Sequence, residues 1–117
     1  MSASNGVKII FGSAAWLTTP VAEVEQWLDT IQELGIKHID TAAIYGESEN
    51  LLGQTKAATT RGFIVDTKHA SGFDPNPTNK ESVIEGALTS LARLQTESVS
   101  SILPPFPLCL NSSSQVC

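Results

Sequence analysis

Asp40, Tyr45 and Lys68 have the residue types and the placing to move a proton. A phenol, with a reference pKa of about 10, is a weak acid at neutral pH. An ammonium group close to a phenol favours the phenolate and so eases release of the proton. A lysine that stays charged in a half-buried cleft needs a counter-charge in turn, and an aspartate can be that partner. Tyr45 as acid, Lys68 as its activator and Asp40 as the anchor of the lysine would make one proton-donating unit. Plainer readings exist for each. Asp40 and Thr41 are ordinary turn formers, Tyr45 can be an amphipathic rim residue, and Lys68 can be a solvated charge.

The elements around these residues can be read from periodicity. Residues 7–11, VKIIF, form a short β-branched and aromatic run that ends at Gly12 and predicts a strand. Thr19 followed by Pro20 predicts a helix start. Val21, Val24, Trp27, Leu28, Ile31 and Leu34 then fall on one helical face, and Gly35 supplies a left-handed stop. Residues 36–40, IKHID, predict a second strand. A second helix is expected to open near Ser48 with Glu49 toward the helix dipole, weakened by Gly53 and over before Arg61 and Gly62. Residues 63–68, FIVDTK, predict a third strand. After a loop with Pro75 and Pro77, Thr78 and Glu81 have the spacing of a capping pair. Val83, Ile84, Ala87, Leu88, Leu91 and Leu94 form one face of the helix that follows, with Arg93 near its end.

Strand starts at 7, 36 and 63, each followed by a helix, indicate parallel β/α construction. An open doubly wound sheet and a section of a barrel both fit. No GxGxxG follows the first strand, which favours the barrel. Working residues in such folds sit at the C-terminal ends of strands and in the loops beyond. Asp40 ends the second strand, Tyr45 lies in the loop after it, and Lys68 ends the third. Strand parity places Ile36 and His38 on the side of Asp40, and Ile64 and Asp66 on the side of Lys68. His38 therefore reads as a packed strand residue and His69 as a loop residue, not as ligands.

The chain has 117 residues, enough for one domain with a core, and its 41% hydrophobic and 16% charged composition is that of a globular protein. A net charge of -5 with scattered basic residues argues against nucleic-acid binding. Lack of a long apolar run argues against a membrane span, and the N-terminus has no signal-peptide pattern, so a cytoplasmic location is expected. Cys109 and Cys117 lie near the C-terminus with no histidine nearby, and are expected to be free thiols, not metal ligands.

The run HIDTAAIYGESENLLGQ, with VDTK after it and SLARLQTESV further on, resembles the N-terminal part of an aldo-keto reductase. It is most similar to the aflatoxin-aldehyde reductase branch, over residues 7–99. The resemblance implies a (β/α)8 TIM barrel, here incomplete and limited to its first three β/α units. It also implies reduction of a small-molecule aldehyde or ketone with NADPH, in secondary-metabolite biosynthesis or a related setting. Tyr45 would be the proton donor, Lys68 its activator, and Asp40 the partner of Lys68 and a cofactor-binding residue beside the nicotinamide ribose. Trp16 falls where the family often lines the substrate pocket, although a core or rim aromatic fits it equally.

The chain departs from the family in two respects. The family carries a catalytic histidine at the end of strand four in an LHxPD-like sequence; here the matching stretch reads SVSSILPPFP, and no histidine follows His69. A closed barrel also takes about 250 residues, and the family holds much of the cofactor with its late strands. Residues 1–99 are therefore expected to form the barrel segment and residues 100–117 a divergent, disordered tail. The expectation is a truncated reductase, inactive alone. The alternatives are a non-catalytic fragment that associates with a full-length relative, or with itself through the open sheet edge, and a gene remnant.

Overall fold

The computed structural model describes residues 7–70, 79–99 and 101–103. Thr78, Cys109, Cys117 and the segment 104–117, on which parts of the sequence reading fall, lie outside them. The elements run β1 (Ile10–Gly12), α1 (Val21–Glu33), β2 (His38–Asp40), α2 (Ser48–Gln54), β3 (Ile64–Lys68), α3 (Lys80–Leu94) and β4 (Ser101–Leu103). The four strands form one parallel sheet in the order β1-β2-β3-β4. The alternation of strand and helix is thus as the spacing predicts.

The sheet extends one strand beyond the three expected units. Ser101, Ile102 and Leu103 pair in register with Asp66, Thr67 and Lys68. This short strand lies just past Val99. Pro104 and Pro105 follow directly in the sequence, and neither can donate to a ladder.

The two faces of the sheet differ as parity requires. Ile39, Val65 and Thr67 point to the helix-covered side and are buried. Ile10, His38 and Ile64 share a register row on the other side, where Ile10 is 46% and Ile64 40% exposed. Asp40, Asp66 and Lys68 lie on that open side and are half-buried. It is the side a closed barrel would fill with stacked side chains.

Helix α1 buries a narrower stripe than its periodicity suggests: Val24, Leu28 and Ile31 are buried, while Trp27 and Leu34 are largely exposed. Pro20 occupies the N-cap in an extended conformation without a side-chain cap, so Thr19 lies one position too early to cap the helix. Gly35, at φ 80°, closes it as expected.

The cap of α3 is Asn79, whose side chain accepts from the Ser82 N–H while Ser82 Oγ accepts from the Asn79 N–H. That capping box replaces the expected Thr78–Glu81 pair. The apolar stripe of α3 meets the core only at its C-terminal end: Val83, Ile84 and Leu88 are exposed, whereas Leu94 of the stripe is buried, as is Ser90. The helix is anchored by its C-terminal half against α2.

Gly53 makes that anchorage possible. A Cβ at Gly53 would lie 1.9 Å from the Arg93 carbonyl oxygen, so α2 and the end of α3 touch backbone to backbone. The expectation that Gly53 merely weakens α2 misses this constraint. Helix propensity alone says Gly53→Ala should stabilise by about 1 kcal/mol. The contact reverses the sign: Gly53→Ala is expected to destabilise the chain by about 1–3 kcal/mol, read as a lower thermal or urea midpoint.

Candidate active site

The backbone ladder continues beyond the ends of the strands and fixes the residues found there. The Ser13 N–H donates to the Asp40 carbonyl at 3.0 Å, the Thr41 N–H to the Asp66 carbonyl at 2.8 Å, and the Ala43 N–H to the Lys68 carbonyl at 3.0 Å. Asp40 and Lys68 thus have set Cα positions on neighbouring strands and point to the same open side.

Their side chains meet there. Lys68 Nζ lies 2.6 Å from each Asp40 carboxylate oxygen and 3.1 Å from the Thr41 carbonyl. An ammonium has three N–H donors, and these three acceptors match them. The pair is partly open to water, with side-chain exposures of 20% for Lys68 and 32% for Asp40.

Tyr45 is brought over this pair by a tight loop. The Tyr45 N–H donates to Ala42 and the Ser48 N–H to Tyr45, so the segment between β2 and α2 is a compact turn. Gly46 has φ 53°, and a Cβ there would lie 2.8 Å from the Leu17 carbonyl oxygen. The Glu47 N–H donates to that same carbonyl at 2.9 Å. The loop after β1 therefore presses against the loop that carries Tyr45. Lys68 Nζ ends 5.4 Å from the centre of the Tyr45 ring. With its donors directed to Asp40 and Thr41, Lys68 faces the Tyr45 ring at a distance suited to cation–π attraction.

The open side is only half of the arrangement. Behind the sheet Ser13, Thr41, Ser48, Glu49 and Thr67 are buried and hydrogen-bonded in two sets, one around Ser48 and one between Thr67 and Glu49. Ser48 Oγ is 2.7 Å from Ser13 Oγ and 2.9 Å from Thr41 Oγ1. Thr67 Oγ1 donates to Glu49 Oε1 at 2.6 Å. Sequence reasoning missed this group. The available signal was Thr67, a polar residue on the same strand parity as the apolar Val65.

The remaining candidates have structural places. Trp16 is 3% exposed, with its ring centre 5.2 Å from that of Phe11, so it belongs to the core and does not line a pocket. His38 lies half-buried on the open side of β2. His69 Nε2 is 3.1 Å from the Ser82 carbonyl, and its ring packs against Gly86, tying the end of β3 to α3. An open concavity of about 630 Å³ lies between these two elements, bordered by Ala43, His69, Ser90 and Arg93, beside Asp40 and Lys68 and not over them.

Solved structures with the same fold exist. An aldo-keto reductase from Bacillus halodurans in its holo form is 26% identical with a TM-score of 0.67, the alignment covering 81% of this chain and 34% of that one. A putative aldo-keto reductase from Pseudomonas aeruginosa is 24% identical with a TM-score of 0.70, over 81% of this chain and 40% of that one. An aldo/keto reductase from Brucella melitensis is 25% identical with a TM-score of 0.60, over 85% and 38%. The chain thus spans about two fifths or less of the length of these structures. No curated protein matches it. The model of the aldo/keto reductase family matches residues 8–103, most of the chain and all four strands among the described residues. The chain belongs to the aldo/keto reductase family.

Proposed function

We propose that the chain is the proton-donating part of an NADPH-dependent carbonyl reductase, with Tyr45 as the general acid. Lys68 is the charge that favours loss of the phenolic proton, and Asp40 holds Lys68 in place. The observation that carries this reading is the two-pronged Asp40–Lys68 ion pair lying 5.4 Å beneath the Tyr45 ring. As the proton leaves the phenol, negative charge develops next to the ammonium, which stabilises that state more than the neutral one. Asp40 keeps the lysine from swinging away into water.

A bound nicotinamide would supply the hydride. The residues present fit one part of that cofactor. Asp40 is partly exposed, and its oxygens retain lone pairs able to accept from a ribose hydroxyl. The phosphates find no cradle within this group, because Lys68, its cation, is directed to Asp40 and Thr41. The sequence after β4 also brings no imidazole to orient a carbonyl oxygen. Both open faces of the pair meet water, which weakens each electrostatic interaction. The 117 residues on their own therefore do not turn over.

The reading extends to a small carbonyl substrate handled in the cytoplasm, with the aflatoxin-aldehyde reductase branch as nearest kin and secondary-metabolite tailoring as setting. Its support is the run HIDTAAIYGESENLLGQ and the SLARLQ helix end.

Two experiments test it. The purified chain is expected to oxidise NADPH with aromatic aldehydes at the background rate; turnover that disappears in Tyr45→Phe would overturn its inactivity alone. Residues 1–99 joined to the remaining barrel of the Pseudomonas aeruginosa structure are expected to restore NADPH-dependent reduction. In that chimera Tyr45→Phe should lower kcat by about 10²–10⁴-fold, and an unchanged kcat would refute the acid assignment.

A second reading, association with another barrel segment, is favoured by Ile10 and Ile64 standing exposed on the open sheet face. Sedimentation should then show concentration-dependent self-association, or pairing with an intact reductase, that Ile64→Lys removes. A monomer at all concentrations that ignores the relative would rule this out.

A further inference from the structure

Each residue on the open side of the site has a neighbour in sequence tied down on the covered side. Thr41 directly follows Asp40, and its hydroxyl is 2.9 Å from Ser48 Oγ. Ser48 Oγ is also 2.7 Å from Ser13 Oγ, which donates to the Asp40 carbonyl at 2.9 Å. Thr67 directly precedes Lys68, and its hydroxyl donates to Glu49 Oε1 at 2.6 Å. The first two residues of α2 therefore hold both strand ends from behind.

Glu49 is a costly residue for that place. It is 1% exposed, its Oε2 has no hydrogen-bond partner, and Arg93 Nη1 stands 3.5 Å from that oxygen. An apolar side chain of similar volume would fill such a position at less cost. Packing alone does not explain a carboxylate there, whereas the short bond to Thr67 gives it a task.

We infer that Ser48 and Glu49 are positioning residues for the Asp40–Lys68 pair, acting through Thr41 and Thr67. This rests on the reading of that pair as the activator of Tyr45. Both 2.6 Å contacts of Lys68 require the two Cα atoms to keep their spacing and the two side chains their direction. Freeing Thr67 lets the end of β3 turn about its axis, and freeing Thr41 does the same for β2. A displacement of half an ångström is enough to degrade such geometry. Lys68 would then lose its seat below the phenol while the sheet stays paired.

The sole tyrosine of the chain gives a direct readout. Tyrosine labelled with carbon-13 yields ring signals from Tyr45 alone, and their shift reports the ammonium beneath the ring. Lys68→Met defines the signals with that charge gone. Thr67→Val removes the hydroxyl at nearly constant shape, and Ser48→Ala removes the other tie. Each is expected to move the signals by about half of the Lys68→Met displacement or more, a rough scale for a loosened support, and Thr67→Ser should return them.

A purely structural role would lower the thermal midpoint of Thr67→Val and Ser48→Ala without moving the ring signals, and that result overturns the inference. Should Thr67→Val not fold, Ser48→Ala decides by the same criterion. If Lys68→Met itself leaves the signals in place, the charge does not act on the phenol, and the reading of the pair falls together with the inference. Signals that move in Lys68→Met but not in the other two variants leave that reading standing and remove the positioning role.

Discussion

The helix-covered side of a parallel sheet is dry, so a carboxylate placed there must meet donors or give up its charge. Glu49 is such a carboxylate, and much of the structure can be traced to satisfying it. Thr67 must turn its hydroxyl toward the helix, which sets a polar residue on the covered parity of β3. Arg93 must reach across from α3, which requires the two helices to lie close. That closeness is possible because Gly53, one turn after Glu49, has no side chain to hold the Arg93 backbone off. The order α2 against β3 and α2 against α3 follows from one buried charge.

On the other side of the sheet the requirements run the opposite way. Ile10 and Ile64 stand exposed in a row that a closed barrel would bury, and farther along β2 and β3 the ion pair of Asp40 and Lys68 meets water. Behind the sheet the buried hydroxyls of Ser13, Thr41, Ser48 and Thr67 find partners within the described residues. The open side lacks cover, because the strands that would supply it are neighbours around a barrel, and they are not among these four. Each described strand pairs with its sequence neighbours, while one face of the sheet stays open, as expected where β/α units add one at a time.

The same division explains what could be read from the sequence. The strand ends at Asp40 and Lys68 were legible because β-branched runs stop there and parity assigns their faces. Helix α3 and its shared apolar face were legible, but that the face meets the core only at Leu94 was not, since periodicity shows which residues share a face and not what that face meets. The cap moved by one residue to Asn79, because Ser82 makes the reciprocal bond more directly than the longer Glu81 side chain. Trp16 was open between pocket and core, and Phe11 settles it by stacking near it. Gly53 and Glu49 were least legible. A glycine in a helix and an acid in its first turn have ordinary local meanings, and their actual roles depend on Arg93, some forty residues later.

The distinction between back and front bears on chemistry as well as on folding. The residues around the ammonium beneath the phenol, Asp40 and Thr41 together with Ser13, Ser48, Glu49, Thr67 and Arg93 behind them, are all among the described ones. Giving that ammonium its full effect depends on excluding water, and this is a property of the whole barrel. An exposed ion pair is worth about 0–1 kcal/mol, whereas the same charges in a water-poor cleft interact several times more strongly. The geometry for proton donation can therefore exist without the rate. On the proposed reading, the four strands would carry orientation, the part of catalysis built from nearest neighbours, and a closed barrel would add the low-dielectric surrounding in which such orientation accelerates a reaction.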